Sequence, residues 1–327
     1  MISLGIESTA HTFGAGIVDH TGKILANEKD SFTTQHGGIV PVKAGEHHIR
    51  TCDTVVRKAL KKAMISIDEV DLISFSQSPG IGNCLRVGAI TARSLAVIYD
   101  KPIIGVNHAI AHLEIGRKLC KCKDPVMLYA SGANTQVIAY EGKKYRIFGE
   151  TLDNGVGNFI DAFAREMGLG FPGGPKVYEM ALKGKKYIEL PYIVKGMDVS
   201  FGGLLTNLKQ KLRSGKFNKD DLAYSLQETV YAMLVEVSER AMAHTGKSEL
   251  LLGGGVACNK RLQEMCEAMC NERGAKMFVP ANEFLVDNGA MIAWLGILQY
   301  KSGERMELDD AVIKPYVRTD EVEVGWR

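Results

Sequence analysis

The chain repeats itself, and the repeat limits what it can fold into more than any other feature. The stretch LYASGANTQVIAYEG at 128–142 matches GIESTAHTFGAGIVD at 5–19, with Ser8 opposite Ser131, Ala10 opposite Ala133 and Thr12 opposite Thr135. Each copy is a turn between two apolar runs of strand length. Later, Leu250, Leu251 and Leu252 run into Gly253, Gly254 and Gly255, as the strand-like stretch 71–76 runs into the Pro-Gly loop at 78–82. A helical pattern follows each loop, over 260–273 and 85–99 respectively. Within the first copy, strands are expected at 2–7, 14–18 and 23–32. A helix is expected at 46–64, with Val55, Val56, Ala59, Leu60 and Ala63 on one face. Two such series predict an α/β protein of two like lobes facing each other across a cleft. With a boundary near Lys123-Asp124-Pro125, one lobe is expected to take 1–124 plus 305–327, and the other 125–304.

Composition narrows the class. A chain of 327 residues is long enough for two cores. Its apolar share of 46% and charged share of 24% are those of a water-soluble globular protein. A net charge of +2 excludes the overall basic footprint of a dedicated nucleic-acid binder, so any RNA contact must use local patches. Seven cysteines, an odd number, predict reduced thiols in a cytosolic protein. No run approaches the roughly 20 apolar residues of a membrane span. The opening residues MISLGIESTAHTFGAGIVD show no basic leader or signal-length apolar stretch, so a cytoplasmic location is expected.

Several stretches carry chemistry. The turns at 7–12 and 131–135 offer backbone N–H groups and small hydroxyls, and consecutive N–H groups form a concave anion site. Either alone is an ordinary hairpin; the two in register predict a two-sided phosphate clamp. LLLGGGVACN at 250–259 is a strand, a glycine run and a helix start, where Gly254 and Gly255 allow close backbone approach to an anion or nucleotide. His108 and His112 stand one helical turn apart, on one face of a helix. Imidazole suits zinc, iron and other transition metals. A zinc peptidase would need Glu directly after the first His, and Ala109 stands there. An oxygen ligand must come from elsewhere, and Asp287 in VDNG is the candidate. Cys120 and Cys122 lack a second pair and read as incidental. Lysine and arginine clusters such as Lys209, Lys211, Arg213 and Lys216 are solvated faces or phosphate contacts. Asp161 and Glu166 share a helix with Phe159, Ile160 and Phe163, where a carboxylate holds a ribose or faces solvent.

Taken in order, LGIESTAHTFG, GGIVP, SPGIGNCLRVG, NHAIAHLE, SGANTQ, FPGGP, SFGGL, LGGGVACN and VDNGAMIAW resemble one family over nearly the whole chain. It is the tRNA N6-adenosine threonylcarbamoyltransferase family, catalytic subunit of the KEOPS complex, and His11 and Tyr129 resemble its archaeal branch. The resemblance implies a duplicated RNase H-like/actin-like ATPase (ASKHA) fold holding threonylcarbamoyl-AMP in the cleft. It implies transfer of the threonylcarbamoyl group to N6 of the adenosine 3′ of the anticodon, in tRNAs reading codons that begin with A. His108, His112, Asp287 and Tyr129 would bind iron, for which zinc can substitute. Tyr129, Ala130, Ser131, Gly132 and Ala133 would hold the phosphate and acyl end. Asp161, Gly174 and Asn259 would hold the nucleoside with a carboxylate near 178–179. The partners implied are tRNA, a protein-kinase/ATPase subunit and a small dimerisation subunit, with no membrane; some archaeal relatives are fused to a kinase domain.

Three positions depart from the family pattern. Ala133 stands where Gly is usual, and Tyr178 where an acid is usual, which leaves Glu179 as the nearby carboxylate. Bacterial members carry Asp where this chain has His11, the residue expected to accept a proton from the amine. An actin-fold small-molecule kinase, a metallo-endopeptidase (disfavoured by Ala109) and a non-catalytic actin-like assembly protein are the rival readings.

Overall fold

A computed structural model describes residues 1–35 and 37–327. The first half runs β1 (Ile2–Glu7), β2 (Thr12–Asp19), β3 (Ile24–Ser31), α1 (Pro41–Ala63), β4 (Leu72–Ser78), α2 (Gly82–Ile98), β5 (Ile103–Asn107) and α3 (His108–Cys120). The second runs β6 (Val126–Ala130), β7 (Thr135–Glu141), β8 (Lys144–Glu150), α4 (Val156–Glu166) and α5 (Gly174–Ala181). After a two-residue hairpin, β9 (Val194–Lys195) and β10 (Asp198–Val199), come α6 (Gly202–Arg213) and α7 (Lys219–Thr245). It ends with β11 (Glu249–Gly253), α8 (Lys260–Glu272), β12 (Lys276–Phe278), α9 (Asn282–Leu285) and α10 (Gly289–Lys301).

The strand order is β3-β2-β1-β4-β5 in one sheet and β12-β11-β6-β7-β8 in the other. Read from the first strand of each half, the two are the same topology. A hairpin pairs antiparallel, and the next two strands add in parallel through helical crossovers. The duplication read from the turns therefore extends through both sheets.

Local chemistry sets the element ends. Helix α1 begins five residues before the expected 46 because Pro41 suits the first turn, where no N–H needs an intrahelical partner. The apolar stripe starts only later in the helix, so periodicity alone misses this turn. It stops where Met64 turns left-handed and donates its N–H to Leu60 and Lys61. Asn107 caps α3 by accepting from Ala109 and Ile110, and Asn288 caps α10 by accepting from Met291.

The last helix of each half crosses to the other. Helix α10 packs on β1, β2 and β4, while α3 packs on β11 and on α10. A Cβ on Gly5 would sit 2.2 Å from the Ala293 nitrogen, so this contact is backbone against backbone. Packing thus places Gly289–Lys301 on the first sheet, although the repeat counts it with the second half. Between the sheets a core cluster joins Val18, Leu72 and Ile104 to Ile138, Tyr145 and Leu251 through α3 and α10. Separate clusters lie under α1–α2 and under α4–α8. The tail returns over β4 and β5, where Lys314 N–H donates to Gln77, and ends with Trp326 Nε1 donating to buried Glu114. The seven cysteines are free thiols. Among the described residues no helix is long and apolar enough to cross a membrane.

Candidate functional site

The site grows from the carboxyl ends of three elements. β1 ends in Glu7, which is fully buried, and β5 ends in Asn107, the cap that starts α3 at His108. His112 follows one turn later on the same face. The second half supplies Tyr129, fully buried on β6, and Asp287, just before the Asn288 cap of α10. His108 Nε2 lies 3.3 Å and His112 Nε2 3.5 Å from Asp287 Oδ1. The donor atoms of these three residues all fall within 4.8 Å of one another. The Tyr129 ring lies beside them, centroids 5.3 Å from His112 and 6.5 Å from His108.

Glu7 accounts for the orientation of His108. Its Oε2 accepts from His108 Nδ1 at 2.8 Å, and its Oε1 accepts from the N–H and Oγ1–H of Thr9, both at 2.6 Å. With Nδ1 committed, Nε2 is the nitrogen turned toward Asp287. A carboxylate fixing the far nitrogen of a ligand histidine is the usual outer support of a metal site. Burial alone would depress the His108 imidazole, but Glu7, Tyr129 and Asp287 outweigh it and hold it well above its ordinary value. Burial would raise Asp287, yet the His108 and His112 imidazoles beside it keep it well below the carboxylate range. Burial depresses His112, and the Asp287 carboxylate 3.5 Å away does not offset it.

These residues fit a cation. Among the described residues nothing hydrogen-bonds either buried ring nitrogen of His112, which is costly unless something else engages them. Two imidazoles, a carboxylate and a phenol form a mixed N/O donor set suited to a divalent transition metal. Among the described residues this is the one cluster of His, Cys, Asp and Glu able to hold such an ion. Cys120 and Cys122 stand outside it, and burial pushes the Cys122 thiol up to about 12.

The turn at 131–135 is built from backbone. Gly254, at φ +88°, comes so close that a Cβ there would lie 2.3 Å from the Ala130 oxygen. The N–H groups of Gly157 and Asn158 donate to the carbonyls of Ser131 and Gly132 at 3.0 and 2.8 Å. Ser131 closes on Asn134, while Gly132 and Ala133 are exposed. Gly255 opens the short helical turn that follows Gly254. In the opposite turn His11 is half-buried, its ring edge-on to Phe171 at 5.2 Å.

The expected nucleoside residues fall out unevenly. Asp161 Oδ1 accepts from Gly173 N–H at 2.7 Å, and burial raises its carboxyl despite that bond. Gly174 starts α5 with open space where a side chain would be. Asn259 is an N-cap: its Oδ1 accepts from Arg261 and Leu262, and its Nδ2 donates to Gln227 at 3.1 Å. One Nδ2 hydrogen is all it has left for a ligand. Glu179 is exposed and does not line the neighbouring cavity of about 230 Å³. Tyr178 lines it, and its carboxylates are Glu228, held bidentate by Arg261, and Glu264. Glu166 is tied to Lys209 and Arg213.

Sequence reasoning took Glu7 and Thr9 only as part of the 7–12 turn, and missed Gly155, where a Cβ would lie 2.4 Å from the Ala133 oxygen, Gly157 and Glu228. Glu7 had a signal, a carboxylate closing an apolar strand. Gly155 and Gly157 had one too, in the run DNGVGN.

A family model described as TsaD, tRNA N6-adenosine threonylcarbamoyltransferase, matches residues 23–294. The tRNA N6-adenosine threonylcarbamoyltransferase of Thermococcus kodakarensis is 59% identical over 326 residues, covering all of both chains. A probable bifunctional tRNA threonylcarbamoyladenosine biosynthesis protein of Methanocaldococcus jannaschii is 51% identical, with all of this chain covering 60% of that protein. Among solved structures, full-length HypF in a phosphate- and nucleotide-bound form aligns at TM-score 0.63 and 12% identity, over 93% of this chain and 56% of its own. Component A of the (R)-2-hydroxyglutaryl-CoA dehydratase of Acidaminococcus fermentans aligns at 0.58 and 14%, over 93% and 100%. At such identities these likenesses speak for the fold alone, which is the duplicated actin-like ATPase architecture.

Proposed function

The chain belongs to the tRNA N6-adenosine threonylcarbamoyltransferase family, and we propose the following account of how its cleft works. The protein is a transferase that places a threonylcarbamoyl group on N6 of an adenosine in tRNA. The relatives' names give no support to the kinase or endopeptidase readings. The donor we assign is threonylcarbamoyl-AMP, and the acceptor is the adenosine 3′ of the anticodon in tRNAs reading codons that begin with A.

The observation that carries this reading is the meeting of His108 and His112 from one half with Asp287 and Tyr129 from the other. These four side chains would hold the metal, which we take to be iron, with zinc able to substitute. Bound there, it would supply Lewis acidity toward a phosphate or carbonyl oxygen. Glu7 keeps His108 in the tautomer with Nε2 turned inward. The donor is a mixed carbamic–phosphoric anhydride. Attack of N6 on its carbonyl carbon forms the new C–N bond, and the C–O bond to AMP breaks. An aromatic amine is a poor nucleophile, so positioning and charge stabilisation supply most of the acceleration. The backbone of 130–133 and the Gly254–Gly255 run receive the charge that develops on the departing AMP. His11 accepts the proton from N6. Asp161 and Gly174 hold the nucleoside, with Tyr178 and Glu228 beside it in the role first expected of Glu179.

We place the protein in the cytoplasm, working with a protein-kinase/ATPase subunit and a small dimerisation subunit. The added length of the bifunctional relatives supports a second working component. The test supplies threonylcarbamoyl-AMP, tRNA and those subunits, then looks for modified adenosine by mass spectrometry. Product is expected with the parental chain and none with His108→Ala. Unmodified tRNA from the parental chain overturns the reading.

A further inference from the structure

Behind the turn that carries His11 lies a second group of histidines, outside the metal cluster. His48 on α1 is fully buried, and its Nε2 lies 3.0 Å from the carbonyl oxygen of Ala10. Its Nδ1 lies 3.2 Å from Nδ1 of His47, and His47 Nε2 lies 2.9 Å from Asp30 Oδ1.

The hydrogens in this chain can be counted. A carbonyl oxygen only accepts, so His48 Nε2 carries a hydrogen. An ionised carboxylate only accepts, so His47 Nε2 carries one as well. The contact between the two Nδ1 atoms needs a third. Two neutral imidazoles hold two hydrogens between them, so the pair carries one proton more than neutral. Desolvation disfavours charge on the fully buried ring, whereas the other ring faces a carboxylate. The charge therefore belongs on His47, paired with Asp30. Burial pushes His48 down to about 4, as a neutral ring requires.

The chain ends on the backbone of the 8–12 turn. His11 oxygen accepts from Phe32 N–H at 2.8 Å, so the carbonyls of Ala10 and His11 are both held. The rings of Phe13 and Phe32 pack edgewise on His48 and His47 at 5.7 and 6.0 Å. The His48 side chain and the Phe32 amide thus hold the peptide groups on either side of the His11 Cα.

We propose that His47 and His48 are positioning residues for the transfer: an Asp30–His47–His48 chain with a cationic His47 pins the Ala10 carbonyl and so aims His11 into the cleft. This rests on the reading of His11 as proton acceptor. Two experiments test it separately. In the full chain labelled with 15N-histidine at neutral pH, His47 should show both ring nitrogens protonated, and His48 only Nε2. Signals are assigned by their loss in His47→Ala and His48→Ala. Asp30→Asn, a change at a half-exposed site, should leave His47 with a single ring proton. Two neutral rings in the parental chain overturn the proposal whatever the activity.

In transfer assays His48→Ala should lower kcat about tenfold, as expected for a displaced catalytic group. KM for tRNA and for threonylcarbamoyl-AMP should stay within about twofold. His48→Gln keeps an N–H within reach of Ala10 and should restore most of kcat; Asp30→Asn should fall between. Should His48→Ala not fold, the Gln and Asn variants decide alone. Parental kcat in Asp30→Asn, or KM and kcat moving together in either variant, overturns the positioning role. A parental chain that transfers nothing counts against the enzyme reading, and the 15N spectrum still decides the hydrogen-bond chain.

Discussion

Helices α3 and α10 are the same element in the two halves, and they have been put to opposite uses. Both begin at a capping asparagine, Asn107 or Asn288, followed by one residue and an alanine. In that register His108 corresponds to Gly289, and His112 to Ala293. Helix α10 lies with its backbone against the first sheet. A Cβ on Gly289 would sit 2.2 Å from the Gly16 nitrogen, and Ala293 presses on Gly5. There is no room at those positions for a ring. Helix α3 lies over the second half at β11, where its close approach comes two turns later, at Gly116 against Leu251. Its first turn is left free to carry two imidazoles. The duplication made the cleft, and unequal helix packing made the metal corner one-sided.

The sharpest way to break this comparison is to make α3 resemble α10. His112→Ala removes a ligand and leaves a small cavity where both ring nitrogens were buried without partners. Loss of bound metal, by elemental analysis, and of detectable transfer is expected, with the fold retained. Metal bound at parental stoichiometry would sink the assignment. The converse change, Gly289→Ala, adds a methyl where α10 meets Gly16. A cost of about 3 kcal/mol in a urea melt is expected, since neither backbone can yield without moving a sheet. An unchanged midpoint would mean that the two helices are not fixed in this way.

A smaller effect should come from Glu7→Gln, which keeps the shape but loses the charge behind His108 Nδ1. Outer-shell changes of this kind cost about 10- to 100-fold in metal affinity. Competition with a graded chelator would measure it, and an unshifted curve would make Glu7 merely a buried partner of Thr9.

How much of this could be read from the sequence follows from the range of each signal. The repeat, the strands and the His108–His112 pair were legible because turns and helical spacing are local. The exchange of α3 and α10 was not, since it depends on which sheet a helix finally meets. The matching Asn-x-Ala starts at 107–109 and 288–290 are a third copy mark legible in the sequence. Asn259 was expected at the nucleoside, but its place just before a helix makes it a cap first. Glu179 was the carboxylate nearest the family's acidic position; the helix leaves it exposed and turns Tyr178 to the neighbouring cavity, one residue being about 100° of rotation.

The paired turns differ as the helices do, and here the smallest effect is expected. The 8–12 turn is held by buried side chains: Ser76 Oγ accepts Ser8 N–H, and Glu7 and His48 hold Thr9 and Ala10. The 131–135 turn is held by the backbone that enters α4, with Ser131 Oγ and Thr135 Oγ1 accepting from Asn134 and Val156 N–H, and the loop before α4 hangs on Asp153. That carboxylate accepts from the N–H of Asn154, Phe201 and Gly202 and from Ser200 Oγ. Its partial burial would raise it, but the Phe201 amide and the other donors bring it down to about 2. A carboxyl depressed in the folded state adds stability that is present above its unfolded value of 3.8 and is lost as pH falls through about 2. The Phe201 amide proton shift should therefore titrate with a midpoint near 2, and Asp153→Asn should abolish that step while leaving the metal corner untouched. A midpoint near 4 would show that the loop is not anchored there. The second turn would then need side-chain support like that of the first.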